Sequence, residues 1–589
     1  AAPTSSWSSS GASPSPSSSI PAVSTSENAW SSSSRSATPV ERVTVDYAAL
    51  EPDERVRLLA DMVRRELATV LAMGDATQSI LDDQTFTGLG LDSLTSVELR
   101  NRLQQATARS VPSTAAFEHP SVGEMARYLD SLFDTRVAGD HRLDSILATS
   151  RPARPPLSFA QERLWFFQQL EPRSALFNLS IALRLKGKLD RAALDSSIRL
   201  LVQRHESLRT VLPTDADGPY QRVLEAVGGE VPCEDLARLE GDALTDALMA
   251  AVAREAGTPF DLALGPLLRP RLLRGGELDH VLLLTLHHVI GDGVSIAILM
   301  RDWAECYRAS VAGEAPRLEV LPVQYIDFAV WQRTRLSGER LVEQLEFWRQ
   351  ELGGAPAYLD LPLDLPRPAV QTYNGALCQR VVPGALRSRL EALGESESAT
   401  LFMTMFAAFA HLLGRQSGQD DVSIGLAVAG RVARELEQLV GLFINTLVLR
   451  TRLRPDMSFE QLLRAVRKSA LNAFEHQELP FEKVVEELHP PRDQSRSPMF
   501  QVLFNMLGVD VYQSLQLPGM EATPYDRMPG VDLQAKFDLT LYVNDQQGQL
   551  GVTAVYNADL FTAGRIEDLL DQYVALLASV AESPARPIG

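Results

Sequence analysis

The segment that most constrains the fold of this chain lies near its middle, where an apolar run meets two histidines and a glycine-rich turn. The apolar run at 281–286 predicts a buried strand, and the residues at 294–307 have the spacing of an amphipathic helix. Between them the sequence reads His287-His288-Val289-Ile290-Gly291-Asp292-Gly293. Because neighbouring side chains on a strand point to opposite faces, one histidine can face a cavity while the other packs inward.

On this segment alone, two interpretations of the histidine pair are equally open. Both rings can be structural, or one of them can take part in chemistry. A metal site is disfavoured, because side chains on opposite faces do not converge on one ion and no Cys or His cluster adjoins the pair. We therefore expect no metal ligand here, and the rest of the chain has to decide between the first two interpretations.

The bulk properties of the chain exclude several classes of protein. At 589 residues it is too long for one hydrophobic core, so several domains are expected. A formal net charge of −19 argues against nucleic acid as a partner, and no apolar run is long enough to span a bilayer. Three scattered cysteines indicate a reducing compartment, and residues 1–4 lack the features of a signal peptide. We expect a cytoplasmic protein without nucleic acid or membrane partners, and the absence of an initial Met predicts a part of something longer.

Composition divides the chain into four regions. A Ser- and Pro-rich stretch at 1–40 predicts a disordered linker, because it has too few apolar residues to offset the entropy of ordering. Helical apolar spacing at 41–135 predicts a small bundle. A second linker is expected at 136–155, followed by a two-lobed α/β domain at 156–585. Its N-lobe is expected at about 156–325 and its C-lobe at about 326–585.

A serine at the predicted start of a helix stands out in the small domain. The stretch reads Gly88-Leu89-Gly90-Leu91-Asp92-Ser93-Leu94-Thr95-Ser96-Val97-Glu98-Leu99-Arg100-Asn101-Arg102-Leu103. In isolation, Asp92 or Ser93 would only cap the helix. The whole stretch, with the segment at 115–121, resembles the acyl carrier proteins of modular polyketide synthases, which are small all-α four-helix bundles. The resemblance implies that Ser93 carries 4′-phosphopantetheine, at a helix N-terminus that suits a phosphodiester. It also implies a phosphopantetheinyl transferase as a partner, and Asp92 points to a polyketide cargo.

Seven segments of the large domain carry a second resemblance. In chain order they are Ser158-Phe159-Ala160-Gln161-Glu162-Arg163-Leu164-Trp165, Arg204-His205-Glu206-Ser207-Leu208-Arg209-Thr210, the histidine segment, Tyr325-Ile326-Asp327-Phe328-Ala329-Val330-Trp331-Gln332, Gly441-Leu442-Phe443-Ile444-Asn445-Thr446-Leu447, His476-Gln477-Glu478-Leu479-Pro480-Phe481-Glu482 and Arg492-Asp493-Gln494-Ser495-Arg496-Ser497-Pro498-Met499-Phe500-Gln501. In this order they resemble the condensation domains of non-ribosomal peptide synthetases. The resemblance implies two chloramphenicol-acetyltransferase-like lobes in a V, with a tunnel between them.

The resemblance also assigns roles to the residues of the histidine segment. His288 is expected to be the catalytic group, at the middle of the tunnel, and His287 is expected to pack. Asp292, with Gly293 after it, is expected to be structural, because the acidic residue of this motif forms a salt bridge and does not touch substrate. We predict Arg209 as its partner, with Arg204 as the second choice.

The two resemblances together imply a function. The acyl thioester on Ser93 would be condensed with the amine of an aminoacyl group on a downstream peptidyl carrier, forming an amide bond. Upstream polyketide synthase domains and downstream adenylation and peptidyl carrier domains would be the partners. His288 would act as a general base or as a hydrogen-bonding group that positions the amine, and the sequence leaves both roles open.

Several other functions are compatible with parts of this pattern. An alcohol acceptor would give an ester, and a condensation domain without activity would serve as a recruitment platform. A carrier that works beside an inert large domain is a further alternative. Epimerisation domains differ in the segment at 440–447, which here has the condensation form, and heterocyclising relatives replace the histidines with aspartates. The intact His288 and Asp292 favour a catalytic condensation domain.

Overall fold

A computed structural model describes most of the chain beyond the first linker. The described residues are 47, 50–71, 73, 80–86, 88–91, 93–107, 109, 111–112, 115–134, 146, 151–225, 229–507, 515–525, 534–546 and 549–588. The predicted linker at 1–40 lies outside them, as do residues 136–145 and 147–150 of the linker at 136–155. Among the described helices, none combines the length and the apolar character that crossing a bilayer requires.

The small domain is built of helices. They are α1 (Pro52–Val70), α2 (Ser93–Thr107), α3 (Ala115–Glu118) and α4 (Val122–Asp134). Leu59, Val63 and Leu67 recur at a spacing of four residues on α1 and are fully buried. Arg55 closes the contact between α1 and α4 by donating from Nε to Asp130 at 2.5 Å. The helical spacing noted in the sequence thus forms one shared core.

The large domain alternates helices and strands. Its first part contains β1 (Asn178–Gly187), β2 (Thr210–Val211), β3 (Thr214–Asp215), β4 (Gly218–Pro219), β5 (Arg222–Val223), β6 (Cys233–Asp235), β7 (Leu268–Arg274) and β8 (Asp279–His287), with α5 (Phe159–Leu170), α6 (Arg191–Arg204), α7 (Gly241–Ala256), α8 (Gly293–Ala312), α9 (Tyr325–Arg335) and α10 (Gly338–Leu352). Its second part contains β9 (Gly375–Val382), β10 (Asp421–Val428), β11 (Asn445–Arg452), β12 (Val502–Leu507), β13 (Met520–Pro524), β14 (Leu539–Gln546) and β15 (Gln549–Asn557), with α11 (Gly384–Ser396), α12 (Leu401–Ser417), α13 (Phe459–Glu475), α14 (Phe481–Leu488) and α15 (Ala563–Glu582).

Strand β8 is the centre of the first sheet, whose strand order is β13-β1-β8-β7-β6. It pairs antiparallel with β1, and His287 at its end lies opposite Asn178 at the start of β1. All its residues after Asp279 are buried, because α6 and α8 cover one face and α7 covers the other. The predicted strand at 281–286 and the predicted helix at 294–307 are therefore confirmed, and both extend beyond those bounds.

The second sheet has the order β11-β10-β12-β14-β15-β9 and is mixed. Strand β12 runs parallel to both of its neighbours, whereas the other pairs are antiparallel. Helix α12 packs on it with almost every side chain buried, and Phe406 and Phe409 meet Phe504 of β12 in this core. A second hydrophobic core therefore stabilises the second lobe independently of the first.

Two segments of the second half cross into the first lobe. Strand β13 pairs antiparallel with β1, from Leu183 opposite Pro524 to Gly187 opposite Met520. Leu436, Leu439 and Phe443, which precede β11, are buried in the hydrophobic core of the first lobe. A single boundary at 325 therefore does not separate the lobes, since an edge strand and a core loop of the first lobe come from distant sequence.

In the loop at 436–443, Gly441 lies directly against the ring of Tyr325 in α9. A Cβ atom there would lie 1.9 Å from Cδ2 of Tyr325. The Tyr325 ring is held, because its hydroxyl donates to the Leu442 carbonyl at 2.7 Å and lies 2.7 Å from the Ser158 hydroxyl. We therefore expect Gly441→Ala to lower the free energy of unfolding by about 1–3 kcal/mol through overpacking, measured by urea denaturation.

The matched control is Gly564→Ala in the exposed first turn of α15. No atom lies within 4 Å of a Cβ built there. Alanine favours helix by about 0.5–1 kcal/mol over glycine, so this variant should be neutral or slightly more stable. Equal losses in the two variants would contradict the close approach between Gly441 and Tyr325.

Candidate active site

The backbone that follows β8 fixes the orientation of His288. Its N–H donates to the Phe177 carbonyl at 2.7 Å, and its Nδ1 lies 2.8 Å from the Gly291 carbonyl oxygen. A carbonyl oxygen only accepts, so Nδ1 carries the proton and Nε2 carries a free lone pair. Because His288 lines the cavity between the lobes, this lone pair is available to a substrate.

His287 has the opposite environment. Its ring is buried, with Phe177 and Phe260 packed edge-on at centroid distances of 6.3 and 6.0 Å. Its Nδ1 accepts the Val289 N–H at 3.1 Å. Burial, with the neighbouring His288, lowers the pKa of His287 to about 3, so the ring is neutral and packs, as the sequence suggested.

Asp292 is held by partners from two distant stretches of the chain. It caps α8 by accepting the Ser295 N–H and hydroxyl, each at 2.8 Å. Arg431 donates to both carboxylate oxygens at 3.2 Å, and the N–H groups of Phe443 and Ile444 donate to one of them at 2.9 and 3.2 Å. These bonds and the positive guanidinium outweigh burial and hold the pKa of Asp292 below its usual value. Both oxygens of the carboxylate are therefore occupied by bonds within the protein.

The predicted partner of Asp292 is wrong. Arg209 donates to the Leu224 carbonyl at 2.7 Å and lies 3.7 Å from Glu206. Arg204, the second choice, pairs with Asp302 at 2.8 Å. The physical reason is position, because α6 packs along α8 and brings its C-terminal arginine to Asp302, nearly three turns beyond the start of α8.

Arg431 reaches Asp292 from the segment that follows β10. Its guanidinium is almost fully buried and also donates to the Leu439 carbonyl at 3.1 Å. None of the seven sequence segments includes it. The sequence did indicate that Asp292, a buried aspartate at a strand–helix turn, needs a cationic partner. That requirement restricts the partner to an arginine or a lysine, but it does not choose among them.

The cavity between the lobes has a volume of about 250 Å³ and is lined by both of them. Arg163 and Arg335 line it, and their charges are paired with Glu482 at 2.7 Å and Glu478 at 3.0 Å. Lys536, just before β14, also lines it. None of the seven sequence segments contains this lysine.

The cavity holds the imidazole of His288 neutral. Burial lowers the pKa of His288 to about 4, and the charge of Lys536 contributes to this, whereas Asp292 opposes it. At neutral pH the ring is therefore a hydrogen-bond acceptor through Nε2, and it is a weak base. Such a group can orient an amine by accepting its N–H.

Ser93 is the first residue of α2, as the sequence predicts. Its side chain and the whole of Asp92 lie outside the described part of the structure. The preceding loop turns through Gly90 in the left-handed region, with φ of 97°. The first N–H groups of α2 have no acceptor within the helix, so this end suits the phosphate of a phosphopantetheine group. When bound, that group supplies a thiol on a flexible arm.

Helix α2 also contacts the large domain, at the segment between β10 and β11. Arg102 pairs with Glu437, and Gln105 donates to Glu435 at 3.3 Å. Burial lowers the pKa of Arg100, and the charges of Glu475 and Glu478 oppose that lowering. Glu478 also lines the cavity, so α2 carries a charge that interacts with one residue of the cavity wall.

Comparisons with known proteins agree with this geometry. The family described as the condensation domain matches residues 153–589, and the phosphopantetheine attachment site matches residues 61–129. In the solved complex of the X-domain and OxyB from teicoplanin biosynthesis, one chain is similar with a TM-score of 0.68 and 30% identity, covering 75% of this chain and 97% of that one. The expected condensation-domain fold is therefore confirmed.

Two curated relatives are peptide synthetases. One of the proteins that form the linear gramicidin synthase of Brevibacillus parabrevis is 43% identical over 509 residues, which are 85% of this chain and 10% of that protein. Phosphinothricin tripeptide synthetase PhsB of Streptomyces viridochromogenes is 36% identical over 531 residues, 90% of this chain and 44% of that protein. This chain thus spans only a tenth to under half of their length. Neither relative is named as a polyketide synthase, so the polyketide cargo stays a prediction.

The salt bridge between Asp292 and Arg431 should appear as a strong coupling in a double-mutant cycle. Asp292→Ala and Arg431→Ala should each lower the free energy of unfolding by about 3–5 kcal/mol, because each leaves a buried charge alone. The double variant should lose at least about 1 kcal/mol less than the sum of the two, measured by urea denaturation.

A second double-mutant cycle serves as the control. It pairs Asp292 with Arg209, the partner expected from the sequence, instead of Arg431. Asp292→Ala and Arg209→Ala should add to within about 0.5 kcal/mol, since the two side chains share no contact. Equal coupling in both cycles would contradict the assignment of Arg431.

The depressed pKa of His288 should appear in the pH dependence of stability. The folded ring has a pKa of about 4, against about 6.5 when unfolded. Between these values the unfolded state binds a proton that the folded state does not, so stability falls with falling pH by about 1.4 kcal/mol per unit. In His288→Asn the free energy of unfolding should fall less steeply from pH 6.5 to 5, by one proton. Parallel slopes would contradict a neutral, desolvated ring.

Proposed function

The chain belongs to the condensation-domain family, with a phosphopantetheine-binding carrier domain before the condensation domain, and from this premise we propose that it forms amide bonds. The donor would be an acyl thioester carried on Ser93, and the acceptor would be the amine of an aminoacyl group on a downstream peptidyl carrier. The observation that supports this most is the free Nε2 of His288 in a cavity lined by both lobes.

The chemistry needs no nucleophile from the protein, because a thioester is already activated. The amine nitrogen attacks the carbonyl carbon, a C–N bond forms, and the carbonyl electrons move to oxygen. Collapse breaks the C–S bond, and the amine proton leaves with the departing thiolate. His288 accepts an amine N–H through Nε2 and so directs the nitrogen lone pair at the carbonyl carbon.

Of the two roles left open for His288, we propose positioning. The pKa of His288 is about 4, far below the value of about 8.5 for a thiol. The departing thiolate therefore binds the proton about four orders of magnitude more tightly than the imidazole does. General base catalysis works best when the pKa of the base is near the operating pH. Most of the acceleration would then come from holding two tethered substrates together.

The proposal makes two statements about the donor. The donor is an acyl group on Ser93, and this acyl group is a polyketide chain. An acyl group on Ser93 is supported by the carrier domain and by the contact of α2 with the large domain. A polyketide chain as this acyl group is supported by Asp92 alone, whereas the curated relatives that cover the carrier are peptide synthetases. The assay therefore loads both donor types.

The proposed partners follow from the tethered substrates. They are upstream domains that load the donor, polyketide synthase domains in the finer proposal, downstream adenylation and peptidyl carrier domains, and a phosphopantetheinyl transferase. Buried Cys306 and Cys378 are free thiols, which supports a reducing cytoplasm.

An ester product would need a hydroxyl acceptor at the same Nε2. A recruitment platform would not need that lone pair at all, so the open His288 favours catalysis.

The test is reconstitution with loaded carriers. The holo protein, charged with an acyl or a peptidyl group, is mixed with an aminoacyl carrier, and products are followed by intact mass. We expect an amide on the acceptor carrier, and a fall of about 100-fold or more in rate for His288→Ala. The variant Ser93→Ala should show neither the phosphopantetheine mass nor any product.

Three outcomes would contradict the proposal. Full activity of His288→Ala would remove the role of the imidazole. A phosphopantetheine mass that persists in Ser93→Ala would remove the attachment site. An ester formed from a hydroxyacyl carrier, with no amide from the aminoacyl carrier, would replace the product assigned here.

A further inference from the structure

Lys536 occupies a position in the cavity that the sequence motifs do not explain. It lies between the bridge of Gln534 to Asn374 and the start of β14, and its side chain lines the same cavity as His288. Its Nζ lies 5.2 Å from the centre of the Phe177 ring. The carbonyl of Phe177 accepts the His288 N–H, so one residue contacts both the lysine and the backbone of the histidine.

The charge of Lys536 has no carboxylate partner among the described residues. The two arginines that share the cavity wall are neutralised, Arg163 by Glu482 and Arg335 by Glu478. A desolvated cation without a counter-ion is costly, so a folded protein keeps one where an anion binds or forms. Burial and the charge of Arg163 lower the pKa of Lys536 to about 8, which leaves the ammonium predominantly charged at neutral pH.

We propose that Lys536 is a catalytic residue that stabilises the negative oxygen formed when the amine attacks the thioester carbonyl. This inference rests on the proposed amide-forming function and deepens it. A cation on the wall of the cavity contributes more to such a charge than to the neutral carbonyl that precedes it. Its attraction is therefore greatest in the transition state.

The same charge explains why His288 and Lys536 have different tasks. The positive field of Lys536 opposes formation of an imidazolium, and it favours an oxyanion. His288 then acts on the nitrogen of the acceptor, and Lys536 acts on the oxygen of the donor. During attack the carbonyl electron pair moves to oxygen beside the ammonium, and it returns when the C–S bond breaks. The lysine neither gains nor loses a proton.

The experiment compares three variants of the holo protein in single-turnover amide formation. Lys536→Met keeps the length of the side chain and removes the charge, whereas Lys536→Arg keeps the charge. We expect Lys536→Met to lower the rate constant at saturating acceptor carrier by about 100- to 1,000-fold. Its KM for the acceptor carrier should change by less than threefold, and Lys536→Arg should recover at least tenfold of the loss. The control Lys188→Met removes an exposed lysine and should match the wild type.

A pH series separates this role from a purely structural one. The ammonium of Lys536 is lost as pH rises through about 8, whereas an arginine stays charged. The rate of Lys536→Arg relative to wild type should therefore rise from pH 7 to pH 9. The charged and titratable side chains that share the cavity wall with Lys536 are Arg163, Arg335, Glu478, Glu482, His288 and Tyr542. Burial holds the pKa of His288 and of the adjacent His287 well below that range, and burial raises the pKa of Tyr542 above its usual value.

The outcomes distinguish this inference from the proposed function. If the wild type forms no amide, the proposed function fails, and this inference with it. If the wild type forms amide and Lys536→Met is within threefold of it, only the role of Lys536 is overturned. A loss that is equal in Lys536→Met and Lys536→Arg also overturns it. Should Lys536→Met melt early, Lys536→Gln takes its place under the same criteria.

Discussion

One buried carboxylate, Asp292, joins the start of α8 to the segment between β10 and β11 beside the cavity. It uses all of its acceptor capacity, capping α8 and binding Arg431 and two backbone N–H groups of that segment. A buried charge is tolerable only when its bonds are complete, so the positions of its partners are tightly constrained. Because α8 begins directly after the histidine turn, the carboxylate also fixes where His288 stands relative to the segment between β10 and β11.

The cavity combines a neutral imidazole with an ammonium that has no carboxylate partner in the part of the chain that the structure describes. Burial removes the tendency of His288 to take up a proton, and Lys536 reinforces that effect. Each of the two arginines on the cavity wall has a carboxylate beside it. The site therefore differs from a histidine–carboxylate pair, in which the ring is made more basic. It is arranged to bind an N–H and to accommodate negative charge on oxygen.

Local patterns predicted the local structure, and they failed where distant residues meet. The strand before His288 and the helix after it follow from the spacing of apolar residues, which acts over a few positions. The bond between Arg431 and Asp292 joins residues 139 positions apart. No recognised sequence motif contains Lys536. Only the folded position of the residues before β14 places this lysine in the same cavity as His288. The sequence thus located the imidazole but not the charges that set its chemistry.

The crossing of β13 into the first sheet bears on how such domains can be recombined. A chimera joined once at the middle of the large domain would take β1 from one parent and its edge partner from the other. The exchanged half would also bring a foreign loop at 436–443 into the core of the first lobe. Functional exchange therefore requires that both crossing segments travel with the half of the fold they complete, which calls for several junctions.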